Sequence, residues 1–437
     1  MWARITLAVV FAAYVTGGLA AQRCVPRSYG YSSVVCVCNA TYCDTVASTT
    51  SAQLATGGVR HYSSTKAGKR LELAITKFYP TPRGKVARRK LISRAAFRVN
   101  QGQRYQEIFG FGGAATDAAT INTYSLSARV AEKLIRSYFG KEGIGYTLVR
   151  VPVGSSDFSA HYYGYTDHYP EDITLRHFNL SMEDFQYKAA LQAASWTTAR
   201  LALLPGGDFG GHVVRLLAFH LGEPGSIPGR ASSRSSRVGI MPFIKRAKQM
   251  SPFPVKLIAT PWSAPDWMKV INHTTNVNWL RKGLFKVYAD LYVRFLDGYE
   301  AEGLDFWGLT PQNEPSEGIA TGKFNKMGWT TEDMITFLVR DFCPLLKERG
   351  HGGVKVMIND DQRRDVAEWL KTYNNEDVYE CAAGMAVHWY KDQETPAAVL
   401  SEAHRLYPHK FLLYTEACFG KDAALCPRSS ALKNLCP

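Results

Sequence analysis

From about residue 106 onward, short apolar runs of strand length recur along the chain, each closing on a polar or aromatic cluster. Such runs occupy 145–153, 255–260, 304–310, 354–358, 383–387 and 411–417, and a glycine-rich turn around Gly112 adds a seventh unit. Their length and their bounding Gly, Pro or polar residues predict buried strands. Between them, helical periodicity covers 127–139, 284–299, 331–346 and 397–406. Strands alternating with helices are the pattern of parallel βα units. Polar and aromatic residues follow strand after strand, and a (β/α)8 barrel builds its active site at that end of its strands. An open doubly wound sheet is the competing architecture, but it would gather such residues at one switch point. The expected fold class is α/β, a (β/α)8 TIM barrel over residues 96–420.

Residues 21–95 are patterned differently. The stretch 44–85 is rich in Thr, Ser, Gly and Lys, with alternating pieces such as Arg70-Leu71-Glu72-Leu73-Ala74-Ile75. This predicts antiparallel strands, too few to close a sandwich alone. Ahead of them, the first twenty residues read as a signal peptide. Arg4 gives the charged start, residues 5–15 the apolar stretch, and Gly18-Leu19-Ala20 a small-x-small cleavage site. The apolar stretch is too short to span a bilayer, and no later run reaches eighteen residues.

A secretory route makes the compartment oxidising. Cys24, Cys36, Cys38 and Cys43 are therefore expected in disulfides, with zinc disfavoured because no histidine lies nearby. Four cysteines leave three pairings open. Asn39-Ala40-Thr41, Asn179-Leu180-Ser181 and Asn272-His273-Thr274 are glycosylation acceptor patterns.

Composition adds size and sign. The chain has 437 residues, 46% hydrophobic, enough for a large core. Lys and Arg outnumber Asp and Glu by 52 to 38, a formal charge of +14. The excess is spread along the chain without a basic helix interleaved with aromatics. A cationic protein at an anionic lipid surface thus fits better than a nucleic-acid binder. No cofactor signature emerges: the turn Gly110-Phe111-Gly112-Gly113 lacks the spacing of a phosphate cradle.

The candidate chemistry sits at two strand ends. Gln312-Asn313-Glu314-Pro315 follows the run at 304–310, and Glu416 ends the run at 411–417. Pro315 keeps the first corner from continuing as a helix. In a barrel, Glu314 closes the fourth strand and Glu416 the seventh, so the two carboxylates face each other across the mouth. A separation of about 5–5.5 Å would make the pair a retaining glycosidase centre, with Glu314 as acid/base and Glu416 as nucleophile. Asn313 is expected to help keep Glu314 protonated. Trp262, Trp389 and Tyr390 suit stacking on a pyranose face. Asp117 and Arg150 suit hydroxyl contacts and orientation of the carboxylates.

With these motifs the chain resembles the lysosomal acid β-glucosidase (glucosylceramidase) family of retaining glycoside hydrolases. The resemblance rests on the Cys-rich run at 24–43, Gly-Phe-Gly-Gly-Ala-Ala-Thr-Asp at 110–117 and Arg-Val-Pro at 150–152. It continues through Pro-Trp-Ser-Ala-Pro-Asp-Trp at 261–267, Asn-Glu-Pro-Ser at 313–316, Asp-Asp-Gln-Arg at 360–363, His-Trp-Tyr at 388–390 and Glu-Ala-Cys at 416–418. It implies Glu314 as acid/base, Glu416 as nucleophile, Asp117, Trp262 and Asn313 on the glucose, and Tyr390 beside the nucleophile. It further implies pairing of Cys24 with Cys36 and Cys38 with Cys43. The implied substrate is glucosylceramide, hydrolysed without a cofactor or metal on the lumenal face of the lysosomal membrane, with a saposin-type activator and anionic lipid as partners.

Two stretches depart from the family pattern. Residues 191–239 lack amphipathic periodicity and read as an insertion. The tail 421–437 is unlike the family, where an eighth barrel strand and further sandwich strands belong. The expectation is thus a barrel lacking its last strand plus an incomplete β-sandwich. For such a chain the alternative is a catalytically inactive glycoprotein that binds lipid or a sorting receptor. A third reading keeps the two carboxylates and changes the sugar to xylose or a β-linked glucan.

Overall fold

The computed structural model describes residues 21–47, 57–77, 100, 102–159, 161–185, 239–272, 277–318 and 326–418. The expected signal segment, the tail at 421–437 and nearly all of the expected insertion lie outside them. Seven parallel strands form one curved sheet: β1 (Gly112–Ala114), β2 (Leu148–Val153), β3 (Lys256–Pro261), β4 (Phe306–Leu309), β5 (Lys355–Gln362), β6 (Ala382–His388) and β7 (Phe411–Glu416). Each pairs with the next in chain order, β1 to β7, and every pairing is parallel. This is a half-closed TIM barrel, with six strands where the apolar runs predict them and the first at the glycine-rich turn.

The helices pack on the outer face because their apolar stripes have nowhere else to go. The helix Phe285–Glu300 buries Tyr288, Leu291, Tyr292, Phe295, Leu296 and Tyr299 on one side. The helix Ala128–Phe139 buries Ala131, Ile135 and Phe139 at helical spacing. Outward residues of the strands, such as Val149, Val151, Val153, Leu257 and Ala259, complete this core. The predicted helix at 331–346 is found as Thr331–Thr336, a π turn at Phe337–Phe342 and Cys343–Glu348. Pro344 explains the π turn, since it has no N–H for the carbonyl one turn back. Its start is capped by Thr330, whose hydroxyl accepts the Asp333 N–H at 3.1 Å.

Some elements went unpredicted: the helices Asp117–Ser125 and Glu376–Cys381 and the hairpin Lys269–Asn272 with Val277–Leu280, and also the helix Ile240–Met250, although it buries Ile240, Phe243, Ile244 and Ala247 at helical spacing. The N-terminal unit is a hairpin, Gly58–Ser63 against Glu72–Lys77, beside a short ladder of Pro26–Arg27 with Val35–Cys36. Disulfides join Cys24 to Cys36 and Cys38 to Cys43, the implied pairing. A third disulfide, Cys343–Cys381, joins two outer helices. Cys418 is a half-buried free thiol. Among the described residues, no helix is long and apolar enough to cross a membrane.

Candidate active site

Side chains pointing into the barrel come in two tiers. The lower tier is apolar, with Leu148, Ile258, Met357 and Ala386 packed against Trp307, Phe411 and Leu413. Two residues further along four of these strands stand Arg150, Thr260, His388 and Thr415. The two-residue period of a strand therefore sets a polar floor directly above an apolar plug. Strand β5 breaks this count. Two residues beyond Met357 is Asn359, but Asn359 (φ 71°) and Asp360 (φ 51°) adopt left-handed backbone, and pairing with β6 slips between Asn359 and Asp361. The bulge presents Asp360 to the floor instead.

Asp360 is fully buried and holds the floor together. Its Oδ2 accepts from the Arg150 guanidinium at 2.7 Å and from the Thr310 hydroxyl at 2.8 Å. Its Oδ1 accepts from the Thr415 hydroxyl at 2.6 Å and lies 3.1 Å from His388 Nε2. Burial alone would raise this carboxyl, but the Arg150 charge and the His388 and Thr415 hydrogen bonds hold it well below the usual range.

Arg150, 6% exposed, reaches further. It pairs with Glu416 Oε2, donates to Asn313 Oδ1 at 2.8 Å and to Thr260 Oγ1 at 3.3 Å, and lies 4.7 Å from the centre of the Trp262 ring. The Tyr390 hydroxyl donates to the other Glu416 oxygen, Oε1, at 2.9 Å. Glu416 is thus clamped on both oxygens.

Glu314 is held in a pinned corner. Beyond β4, the Asn313 N–H donates to the Pro261 carbonyl and the Glu314 N–H to the Asp360 carbonyl, at 2.8 and 2.9 Å. Glu314 itself has left-handed backbone (φ 44°), a conformation costly for any residue that carries a Cβ and kept by such pinning. Its Oε1 accepts from Gln362 Nε2 at 3.0 Å and lies 3.2 Å from His388 Nδ1, while Oε2 pairs with Lys326 Nζ at 3.1 Å. One oxygen each of Glu314 and Glu416 and a ring nitrogen of His388 all lie within 4.8 Å of one another. The two carboxylates do meet across the mouth.

The protonation pattern differs from expectation. Asn313 gives its amide oxygen to Arg150, so it does not keep Glu314 protonated. Burial would raise the Glu314 carboxyl, but the hydrogen bond and charge of His388 and the charge of Lys326 hold it down to about 2. His388 is fully buried, which disfavours its charge, yet Glu416, Asp360 and Glu314 raise it to about 10. The free site therefore holds an imidazolium against a carboxylate. Both His388 nitrogens face carboxylates and carry protons, which makes this donor set a poor metal site. The cluster of Asp297, Glu300 and the buried His351 is likewise occupied, with Arg349 paired to Asp297.

Other expected residues fall in two groups. Trp262 is buried at the mouth, its indole N–H without a partner among the described residues, and Trp389 and Tyr390 follow β6 half-buried. Asp117 follows β1 at the same strand end, and its Oδ2 is buried without a partner among the described residues. It begins the helix Asp117–Ser125, accepts from the Tyr163 hydroxyl at 3.2 Å, and belongs to a buried acidic group with Glu183 and Asp184. Asp157 in the loop after β2 is the acid that feels both Glu416 and Glu314. Desolvation at the mouth and then those two charges push it up toward about 6, an effect that solvent moderates because Asp157 is exposed. Asp157, His388, Asp360, Gln362 and Lys326 were missed as site residues. Asp360, Gln362 and His388 were visible as strand-end motifs without an assigned role, Asp157 as part of the polar loop after β2, and Lys326 left no signal at all. Asn39 and Asn179 are exposed, and Asn272 ends a hairpin strand.

Comparisons with known proteins agree with this fold. Mouse lysosomal acid glucosylceramidase is 34% identical over 414 residues, covering 93% of this chain and 68% of the mouse protein. Among solved structures, SrfJ from Salmonella typhimurium superposes with a TM-score of 0.60 at 23% identity, covering 84% of this chain and 67% of that one. An endo-β1,6-glucanase superposes with a TM-score of 0.55 at 23% identity, covering 74% and 60%. Both share the fold. The chain thus spans about two thirds of the length of these relatives. The glycosyl hydrolase family 30 TIM-barrel domain matches residues 108–206 and 235–425, leaving 207–234 unmatched within the expected insertion. On the match over well over half of its length and the identity to the mouse protein, the chain belongs to glycosyl hydrolase family 30.

Proposed function

We propose that the protein is a retaining β-glucosidase of glucosylceramide, with Glu416 as nucleophile and Glu314 as acid/base. The observation that carries this reading is the approach of one oxygen from each carboxylate to within 4.8 Å. Retaining centres hold their carboxyls about 5–5.5 Å apart and inverting ones about 6.5–9.5 Å, to leave room for a water. In the first step, a Glu416 oxygen attacks the anomeric carbon as the bond to the glycosidic oxygen breaks. Glu314 gives that oxygen its proton, and ceramide leaves as the alcohol. In the second step, Glu314 takes a proton from water, which displaces Glu416 and releases glucose. Arg150 and Tyr390 aim the nucleophile by holding one oxygen each. Asn313 and the unpartnered Trp262 indole N–H serve sugar hydroxyls, Asp157 lines the same mouth, and Trp389 offers a stacking face. Asp117, with its buried Oδ2 unpartnered among the described residues, serves a further sugar hydroxyl.

The lipid substrate and a lysosomal setting rest on likeness to the mouse protein, whose name carries both, and a lipid-surface partner with a saposin-type activator rests on the family resemblance of the sequence motifs. The formal charge of +14 supports attraction to anionic lipid. Exposure of Asn39 and Asn179 supports their glycosylation on a secretory route.

A mechanism-based 2-deoxy-2-fluoroglucoside tests the reading. Mass spectrometry should find the trapped sugar on the peptide containing Glu416, and Glu416→Gln should lose roughly 10⁴–10⁶-fold in kcat, as when a nucleophilic unit is removed. An adduct on any other residue, or near-normal turnover by Glu416→Gln, sinks the assignment. A folded chain that takes up no inhibitor is the inactive lipid- or receptor-binding glycoprotein instead. Parallel assays on aryl glucoside, aryl xyloside, a β-1,6-glucan and glucosylceramide separate the sugar classes.

A further inference from the structure

Lys326 is an ammonium placed on the outer oxygen of Glu314. Its Nζ lies 3.1 Å from Glu314 Oε2 and 3.8 Å from Glu317 Oε2, with the side chain 14% exposed. Its backbone is tied to the same corner. The Lys326 carbonyl accepts from Asn278 Nδ2 at 3.2 Å, the Gly328 N–H donates to the Asn278 carbonyl at 2.8 Å, and the Trp329 N–H donates to the Pro315 carbonyl at 3.1 Å.

The inner oxygen, Oε1, is covered by His388 and Gln362. Oε2 is therefore the oxygen left to face an incoming glycosidic bond, and it is the one Lys326 occupies. We propose that Lys326 sets the protonation of Glu314, holding it as a carboxylate until a glycosidic oxygen takes the ammonium's place on Oε2. This rests on the reading of Glu314 as acid/base. Glu317 offers the displaced ammonium a second carboxylate, itself fixed by Arg364 at 3.0 Å.

Every neighbouring element contributes charge to Glu314. Strand β6 supplies His388, β7 supplies Glu416, and the loop after β2 supplies Asp157. The end of β5 and the turn after it supply Asp361 and Asp365, and the corner itself supplies Glu317. The acids favour a protonated Glu314, and His388 and Lys326, the two cations paired with it, oppose them, as does the Arg150 guanidinium held between Glu416 and Asp360. His388 is locked between Glu314 and Asp360, whereas Lys326 sits on a flexible stem with an alternative partner. Lys326 is thus a positioning residue that can act and withdraw within one turnover. Its ammonium suppresses the acid step at neutral pH and favours the base form that the second step needs.

The test titrates Glu314 directly in the full chain labelled with [δ-¹³C]glutamate, its carboxyl signal assigned as the one absent from Glu314→Gln. An opposite charge within about 4–6 Å lowers a carboxyl by roughly one to three pH units. Lys326→Met should raise the midpoint by that amount, and the alkaline limb of kcat/KM on an aryl β-glucoside should move the same way. Lys326→Arg should keep both where they were. An unmoved midpoint in Lys326→Met, or equal shifts in the Met and Arg variants, overturns the proposal. Azide rescue of Glu314→Ala, giving the β-glucosyl azide, tests the acid/base reading separately. Failure of rescue with a shifted Lys326→Met midpoint refutes that role, and with it the catalytic half of the proposal. Rescue with an unmoved midpoint refutes control by Lys326 alone.

Discussion

Asp360 carries more of the site than either carboxylate that faces the mouth. It joins Arg150 and His388, and through them Glu416 and Glu314, so its charge is balanced on both sides of the floor. Removing it leaves a buried guanidinium and a buried imidazolium short of a partner. Asp360→Ala should therefore cost about 3–5 kcal/mol of stability, the range for breaking one side of a buried pair. Urea unfolding measures this, and a loss below about 1 kcal/mol, the worth of a surface pair, would show that the floor is not coupled as drawn. Glu314 and Glu416 were legible in the sequence because each ends an apolar run, where a charge must serve a purpose. Asp360 was legible only as one of several polar residues after a strand. Which of Asn359, Asp360 and Asp361 turns inward depends on the bulge, and two left-handed non-glycine residues in a row leave no pattern in the sequence. Lys326 was invisible because it approaches Glu314 through a chain fold, without any strand-end position of its own.

Among the elements, the inner strands were read with errors only at their ends, because burial on both faces makes a parallel strand a continuous apolar run, whereas the exposed first strand showed only as a glycine-rich turn. The helix Asp117–Ser125 was not read. It buries Asp117, Thr120 and Thr123, so its inner face is polar and its periodicity carries no hydrophobic signal. Cysteine pairing beyond the first four was also unreadable, since spacing does not specify partners. The structure pairs Cys343, in the helix after β4, with Cys381, at the end of the helix before β6, across 38 residues. Closing a loop of that length in the unfolded chain is worth about 4 kcal/mol in the chain-entropy account. The double variant Cys343→Ser, Cys381→Ser should lower Tm by several degrees while leaving KM for an aryl glucoside unchanged, since neither residue approaches the mouth. A matched Tm with and without the pair would mean that the helices are held by packing alone.

Across the whole molecule, the buried ionisable groups favour acid. Asp184, desolvated although Tyr299 and Ser181 donate to it, is raised to about 6. Asp361, raised by burial and then by Asp365 and Glu314, reaches about 7. Both bind a proton in the fold at pH values where the unfolded chain, with ordinary carboxyls near 3.8, has lost it. Their contribution is greatest below that value and is lost as pH rises through 6 and 7. His388 acts in the same direction. Its stabilisation is present below 6.5 and is lost as pH climbs toward about 10. Glu314 opposes them, its contribution present above 4.5 and lost as pH falls toward about 2, and Asp360 behaves likewise. These trends cross between the ordinary carboxyl range and neutrality, so calorimetry should give a higher Tm near pH 5 than near pH 8. Asp361→Asn should flatten the part of that fall between pH 5 and 7, because it removes one of the protons the fold holds there. A Tm that rises from pH 5 to pH 8 would contradict the charge arrangement of the site and of the acidic group around Asp184 together. Such a stability profile suits the acidic compartment proposed for the protein, and it arises from the same burial of carboxylates that builds the catalytic mouth.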